Sequence, residues 1–204
     1  MVLAAPFPPS FFARDTAAVA RDLVGAWLVH RTPEGEAGGR IVETEAYYGT
    51  DDPASHAFRG PTPRARIMFG EPGLAYVYFV YGNHYCLNAV AHLPGDAGAV
   101  LIRALEPRLG LDLMRRRRGQ TSERLLTSGP GRLCAALAID RSCNGLPLTS
   151  GPLFLAPAAE PLSGRLRVGP RVGIRVAVEA PLRFYLEGNP YVSTNRNSVP
   201  SVRP

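Results

Sequence analysis

The stretch Arg40-Ile41-Val42-Glu43-Thr44-Glu45-Ala46-Tyr47 reads as a β-strand that carries carboxylates where a core belongs. Successive side chains of a strand point to opposite faces, so Ile41, Glu43, Glu45 and Tyr47 are expected on one face. Val42, Thr44 and Ala46 take the other, which has the look of an ordinary buried face. An acid pair beside an aromatic ring suggests a pocket that needs a base and a flat platform. The simpler alternative is a surface strand with solvated acids, and the neighbouring segments decide between the two.

Working outward, residues 26–31 read as a strand, 32–39 as a turn and 40–48 as the hairpin partner. Upstream, residues 1–10 read as an extended arm. Asp15 is placed to N-cap a helix over 16–23 that Gly25 closes. Downstream, residues 49–73 form a long stretch of Gly, Pro, Asp and Arg without period, and loops of that length are commonly functional. The best hairpin signal lies over 75–91, where alternating Tyr and Val flank Gly82-Asn83. Residues 99–104 read as a strand and 109–118 as a helix ended by Gly119. The run Arg115–Arg118 then sits where positive charge complements the helix dipole, although the same arginines could touch phosphate. Ser128-Gly129-Pro130-Gly131 introduces a helix through about residue 138, with Pro near its first turn. Residues 172–178 and 182–186 read as strands, and the tail from 193 to 204 is expected to fray. These patterns make one mixed α+β domain over 1–204, built on a curved, mostly antiparallel sheet with a protruding hairpin and surrounding helices.

Composition narrows the function. The chain has 204 residues, a formal charge of +6 and 23 basic residues, every one of them arginine. Such a balance suits an anionic partner, nucleic acid ahead of membrane. Without lysine no side chain can form a Schiff base, and there is no phosphate-binding loop ending in Gly-Lys-Ser/Thr. Cys86, Cys134 and Cys143 are odd in number and far apart, so buried reduced thiols are expected, as in a cytoplasmic protein. The proline-broken start is a poor signal peptide, and no apolar run approaches the length of a membrane span. Only His30, His56, His84 and His92 are present, in no metal-ligand spacing. No metal or cofactor is expected. His30 and His92 read as core or edge residues.

What remains is carboxylate and ring. Six of the eight tyrosines, Tyr47, Tyr48, Tyr76, Tyr78, Tyr81 and Tyr85, fall in two segments. A Tyr ring offers a face for a planar base and a hydroxyl that can stay wet. Tyr76 and Tyr85 are adequately explained as good strand residues. Tyr81, beside the Gly82-Asn83 turn, has the shape and place to wedge between base pairs.

The chain resembles the methylpurine DNA glycosylases of the alkyladenine type. The resemblance is carried by Glu43-Thr-Glu45-Ala-Tyr47, Tyr76-Val-Tyr78-Phe-Val-Tyr81-Gly82, Asn88 and Leu101-Ile-Arg103-Ala-Leu-Glu106-Pro107. Ser128-Gly-Pro-Gly-Arg-Leu-Cys134, Pro170-Arg-Val-Gly173 and Leu182-Arg-Phe-Tyr185 follow in the same order. It implies a monofunctional, cofactor-free monomer that removes 3-methyladenine, and often hypoxanthine or ethenoadenine, from double-stranded DNA containing damaged purines. By position it implies Glu45 as general base and Arg103 as holder of the attacking water. Tyr47, His56 and Tyr78 would line the flipped base, Asn88 would exclude guanine's amine, and Tyr81 would fill the gap in the duplex. Asn83, His84, Arg59 and Arg64 would meet DNA. At Asn83 and His84 some relatives carry larger apolar side chains, so the contact with the duplex there is expected to differ.

The chemistry holds without the resemblance. A base must leave the stack before it can be hydrolysed, at a cost of a few kcal/mol. An electron-poor alkylated purine should stack well on Tyr47, Tyr78 or His56, by analogy with cation–π attraction. Glu45 could then take a proton from water and stabilise an oxocarbenium sugar, as carboxylates do in glycosidases. Glu43, on the same face, could tune Glu45 or pair with an arginine, and a structural ion pair is favoured. Hairpin register supplies a test: if Tyr78 and Asn88 line one pocket, the loop must span an odd number of residues, such as 82–84. Two rivals are a non-catalytic nucleic-acid binder and a small-molecule nucleoside hydrolase. Carboxylates in a DNA groove argue against the first, the arginine excess and the Tyr81 hairpin against the second.

Overall fold

Gly38 and Gly39 lie inside a strand rather than in a turn, and much of the architecture follows from their missing side chains. In the computed structural model, which describes residues 3–80, 82–160 and 163–193, the strand β1 is Trp27–Thr32 and its hairpin partner β2 is Gly35–Tyr48. Thr32 stands opposite Gly35, so residues 33 and 34 alone make the turn. A Cβ on Gly38 would come within 2.7 Å of the Leu28 carbonyl oxygen, and one on Gly39 would overlap the Glu106 carbonyl. These glycines permit close backbone approach between strands, which in sequence looks like a turn signal.

The strand β2 is the axis of a curled antiparallel sheet of eight strands. Along one edge it pairs with β5 (Gly98–Leu109). The other edge is shared by β1, opposite residues 35–40, and by β8 (Arg183–Leu186), opposite Glu43–Glu45. Beyond β5 lie β4 (His84–Val90) and β3 (Ala75–Val80); beyond β1 lies β6 (Leu153–Ala156), and β7 (Leu166–Gly169) pairs with β8. Flanked on both edges, Glu43 and Glu45 are wholly buried, which removes the solvated-acid alternative.

Helices cover one face of this sheet. The helix α1 is a single turn, Pro9–Phe12, so the N-terminal arm is shorter than expected. In α2 (Thr16–Asp22) Asp15 caps the first turn, accepting from the Ala18 amide at 2.9 Å. Its Val19 and Ala20, with Leu23 just beyond, join Ile41, Ala46, Val100 and Ile102 in the main core, and the Thr44 hydroxyl donates to the Ala20 carbonyl at 2.7 Å. The same core takes Leu113 and Met114 of α3 (Leu111–Arg118), Leu126 of α4 (Arg124–Thr127) and Leu133, Cys134, Ala136 and Leu137 of α5 (Pro130–Leu137). Gly119 ends α3 in the left-handed region, and Arg115 and Arg117 of that helix pair with Asp112 and Glu34. The three cysteines are buried and unbridged, and no described helix is long and apolar enough to cross a membrane.

Several expectations needed correction. Ile41 packs with the helix-side core, away from Glu43 and Glu45, because Val42 is extra in β2 where Ile41 faces Leu105 and Glu43 faces Ala104. A bulge of this kind shifts the alternation by one. The segment 172–178 is an irregular loop. Val176 and Val178 are exposed, Ala177 has φ of +49°, and no strand pairs with it. Ser193 is buried, so the described chain is held to its last residue; the rest of the expected frayed tail, 194–204, lies outside the described residues. In the hairpin Val80 faces His84, leaving residues 81–83 between the strands. The odd span is as expected, but it begins one residue earlier.

Gly39→Ala should lower stability by about 1–3 kcal/mol, the usual cost of overpacking a filled site. Urea unfolding would read this as a lower midpoint at unchanged slope.

Candidate active site

Opposite the helices, alternate residues of four strands project into a cavity of 330 Å³. They are Tyr47 of β2, Tyr76, Tyr78 and Val80 of β3, Cys86 and Asn88 of β4, and Ala99, Leu101 and Arg103 of β5. That size is at the lower end for small-molecule sites. Tyr76 faces Asn88 and Tyr78 faces Cys86 across the hairpin, which puts all four on the cavity side. The loops 49–73 and 171–174 close the cavity with His56, Arg64, Met68, Val172 and Gly173.

Arg103 owes its aim to a second bulge. Glu43 faces Ala104 and Thr44 faces Ile102, so Arg103 has no opposite residue on β2. Its Nε donates to Glu43 at 3.1 Å and Nη1 donates to Glu45 at 3.2 Å, while Nη2 donates to the Ser193 hydroxyl at 3.2 Å. Burial opposes the Arg103 charge, but the two glutamates more than offset it and hold the group protonated. Glu43 is saturated by Arg103, by Arg183 at 2.6 Å, and by the Ser193 amide and hydroxyl. It is a structural ion-pair centre, tying β2, β5, β8 and residue 193 together.

Glu45 is placed differently. Its carboxylate has no exposed surface and sits directly behind the cavity wall. Oε2 accepts from the Tyr47 hydroxyl at 2.8 Å and from Arg103, and Oε1 accepts from the Val172 amide at 2.6 Å. All three donors belong to residues that line the cavity. A carboxylate offers about four lone-pair sites, so three donors leave one acceptor position, on Oε1, unfilled, with the Tyr47, Arg103 and Val172 side of the wall between it and the cavity.

Tyr47 joins this network to another. Its hydroxyl stays protonated, because burial and then the adjacent Glu45 push its pKa well up. Behind its ring the Arg171 guanidinium stands 4.6 Å from the centroid. Asp52 takes both terminal nitrogens of Arg171, at 2.5 and 2.8 Å, and this pair is almost fully buried. Since Arg171 precedes Val172, the same ion pair seats the amide that reaches Glu45. A neighbouring hollow of 380 Å³ lies on the Arg171 side, lined by Asp15, Asp51, Asp52 and Asp96. Its acidic wall is ill suited to a polyanion, which singles out the aromatic cavity.

His56 and Tyr78 pack edge to face with centroids 4.7 Å apart, and His56 Nδ1 lies 2.8 Å from the Tyr76 hydroxyl. Burial, then the charge on Arg64, lowers the His56 pKa to about 4, so the ring is neutral at pH 7. Burial likewise pushes the Tyr78 hydroxyl up. Asn88 donates from Nδ2 to the Tyr76 carbonyl at 3.0 Å and is held rigid. Arg64 reaches the cavity wall, with its guanidinium 4.7 Å from the Tyr78 centroid. Asn83, His84 and Arg59 are exposed, the last at the end of the turn His56–Arg59; His84 packs over Gly131 at the start of α5. Tyr81 lies outside the described residues. Among the described residues no cluster could hold a metal ion.

Sequence reasoning missed Tyr76 on the cavity wall, although its spacing of two from Tyr78 was a usable signal. It also missed the Asp52–Arg171 pair and the roles of Arg183 and Ser193, which are joined only by the fold.

The site thus joins a buried acid to an aromatic cavity on a basic protein. The family model for methylpurine-DNA glycosylase matches residues 10–190, and the chain belongs to that family. A protein of Rhizobium meliloti is 55% identical over 184 residues, covering 90% of this chain and 94% of its own. Relatives from Nitrosospira multiformis and Methanoculleus marisnigri are 49% and 50% identical, with 91% of this chain covered in each case and 93% and 97% of theirs. All three carry the provisional name 3-methyladenine DNA glycosylase. The protein is thus a DNA N-glycosylase, a hydrolase of DNA repair whose substrate is DNA.

Asp52→Ala leaves the Arg171 charge buried and unmatched, which should cost about 3–5 kcal/mol in thermal unfolding. The His56 ring should titrate near pH 4 by proton NMR. Because folding depresses this pKa, the associated stability is present above about pH 6.5 and fades as pH falls towards 4. The solvent-facing edge of His56 keeps that effect small.

Proposed function

We propose that the enzyme turns alkylated or deaminated purines out of duplex DNA into the aromatic cavity and hydrolyses the glycosidic bond with water activated by Glu45. The lesions are 3-methyladenine, the substrate in its relatives' name, with hypoxanthine and ethenoadenine as further members of the class. The observation that carries this reading is the Glu45 carboxylate, fixed by three residues of the cavity wall and left with one unfilled acceptor position.

In this mechanism a water enters between the flipped nucleotide and Oε1 of Glu45, with the Arg103 guanidinium beside it. Glu45 accepts the water's proton as oxygen attacks C1′, and the purine departs with the bonding pair. The developing positive charge on the sugar is stabilised by the same carboxylate. Arg103, already committed to Glu43 and Glu45, keeps the carboxylate oriented. Tyr47, Tyr78 and His56 pack against the base, and rigid Asn88 crowds a 2-amino group. Tyr81 fills the vacated stack, offsetting part of the few kcal/mol of unpairing, while Arg59, Arg64, Asn83 and His84 face the duplex. The absence of lysine leaves no side-chain imine route, in keeping with an intact abasic site as product. We place this activity in a monomer acting in the cytoplasm.

Native protein should release free base from a duplex carrying one hypoxanthine or 3-methyladenine, scored by alkali cleavage of the abasic product. Glu45→Gln should slow release by about 10²–10⁴-fold, the range for a positioned base, with a native circular dichroism spectrum. Equal activity of the two proteins would remove Glu45 from the mechanism.

A further inference from the structure

Each of two cavity rings already carries a cation. Arg171 stands behind Tyr47 at 4.6 Å, and Arg64 stands over Tyr78 at 4.7 Å. The two differ in charge balance. Arg171 is matched by Asp52, and Arg103, the other guanidinium on the wall, is matched by Glu43 and Glu45. Among the described residues no carboxylate pairs with Arg64, and no Asp or Glu lines the cavity. His56, Tyr76 and Tyr78, its neighbours there, are uncharged hydrogen-bonding groups at neutral pH. A base entering this space therefore meets one solvent-exposed guanidinium that no described carboxylate pairs with.

That charge acts on lesions in opposite ways. Purines methylated on N3 or N7 are cations in DNA. Such a base is repelled by Arg64, and the Tyr47 ring it would stack on is already polarised by Arg171. Hypoxanthine is neutral and presents O6 and N7 acceptors, the edge that a guanidinium fork recognises in purines. Whether Arg64 stays on Tyr78 or swings aside as the base enters, only the cationic base does so against repulsion.

We infer that Arg64 is a specificity-determining residue that biases the cavity towards neutral, deaminated purines and against cationic alkylated ones. The inference rests on the reading that the cavity receives the flipped base. It gives Arg64 a part at the base itself, beyond meeting the duplex, and it runs against the simple expectation that aromatic walls favour cationic lesions.

The test compares single-turnover release of hypoxanthine and 3-methyladenine from otherwise identical duplexes, at saturating enzyme so that duplex affinity drops out. The native protein, R64Q and R64K are measured, and each is scored by its own rate ratio, which cancels any loss of folded protein. R64Q should raise the 3-methyladenine to hypoxanthine ratio by about threefold to tenfold, the scale of a solvent-screened charge a few ångströms away. R64K, which keeps the charge, should stay near the native ratio. An unchanged or lowered ratio in R64Q, or an equal rise in R64K, overturns the assignment. Failure of the underlying reading would look different: neither base would be released by native protein, or Glu45→Gln would release both as fast.

Discussion

Two carboxylates and two guanidiniums are sealed into the middle of one strand's neighbourhood, and the working geometry depends on them. Glu43 and Glu45 of β2 meet Arg103 of β5 and Arg183 of β8 across both edges of the sheet. Buried ion pairs contribute little net stability compared with well-packed apolar groups, because desolvation consumes most of the attraction. Here they fix position. Arg103 is held at three points, on Glu43, Glu45 and Ser193, and that triple contact fixes its Nη1 on Glu45.

The network also explains why the cavity wall is built from elements so far apart in sequence. Val172 brings a loop amide to Oε1, and Tyr47 brings a hydroxyl to Oε2 from two residues along the same strand. The Asp52–Arg171 pair anchors both: Arg171 supports the back of the Tyr47 ring and immediately precedes Val172. Shifting any one of these groups disturbs the others through a shared hydrogen bond or ring contact. Such coupling favours a preorganised site, in which donors are aimed before substrate arrives.

Strand alternation and hairpin logic read much of this from the sequence. The face shared by Glu43, Glu45 and Tyr47, the capping by Asp15 and the helix ending at Gly119 follow from local rules, whereas the odd hairpin span follows only from setting Tyr78 and Asn88 in one pocket. The failures have physical causes as well. Gly38 and Gly39 look like a turn because a glycine needed for close strand approach carries the same letter as one needed for reversal. Residues 172–178 look like a strand by alternation, but no free sheet edge takes them and the Val172 amide is spent on Glu45. Ile41 changed faces because a bulge depends on the partner strand. Tyr76 was explained away as a strand former because propensity and cavity lining ask for the same residue. The Asp52–Arg171 and Glu43–Ser193 contacts join residues more than a hundred positions apart, a distance over which no local pattern operates.

The central claim concerns one acceptor position on a buried carboxylate. A crystal structure of the protein bound to a duplex carrying a non-hydrolysable hypoxanthine nucleotide tests it directly. The account predicts the base inside the Tyr47–Tyr78 cavity and an ordered water in hydrogen-bond contact with Glu45 Oε1, aimed at C1′. A base seated elsewhere, or a Glu45 carboxylate still sealed from solvent with no water between it and the sugar, would contradict it.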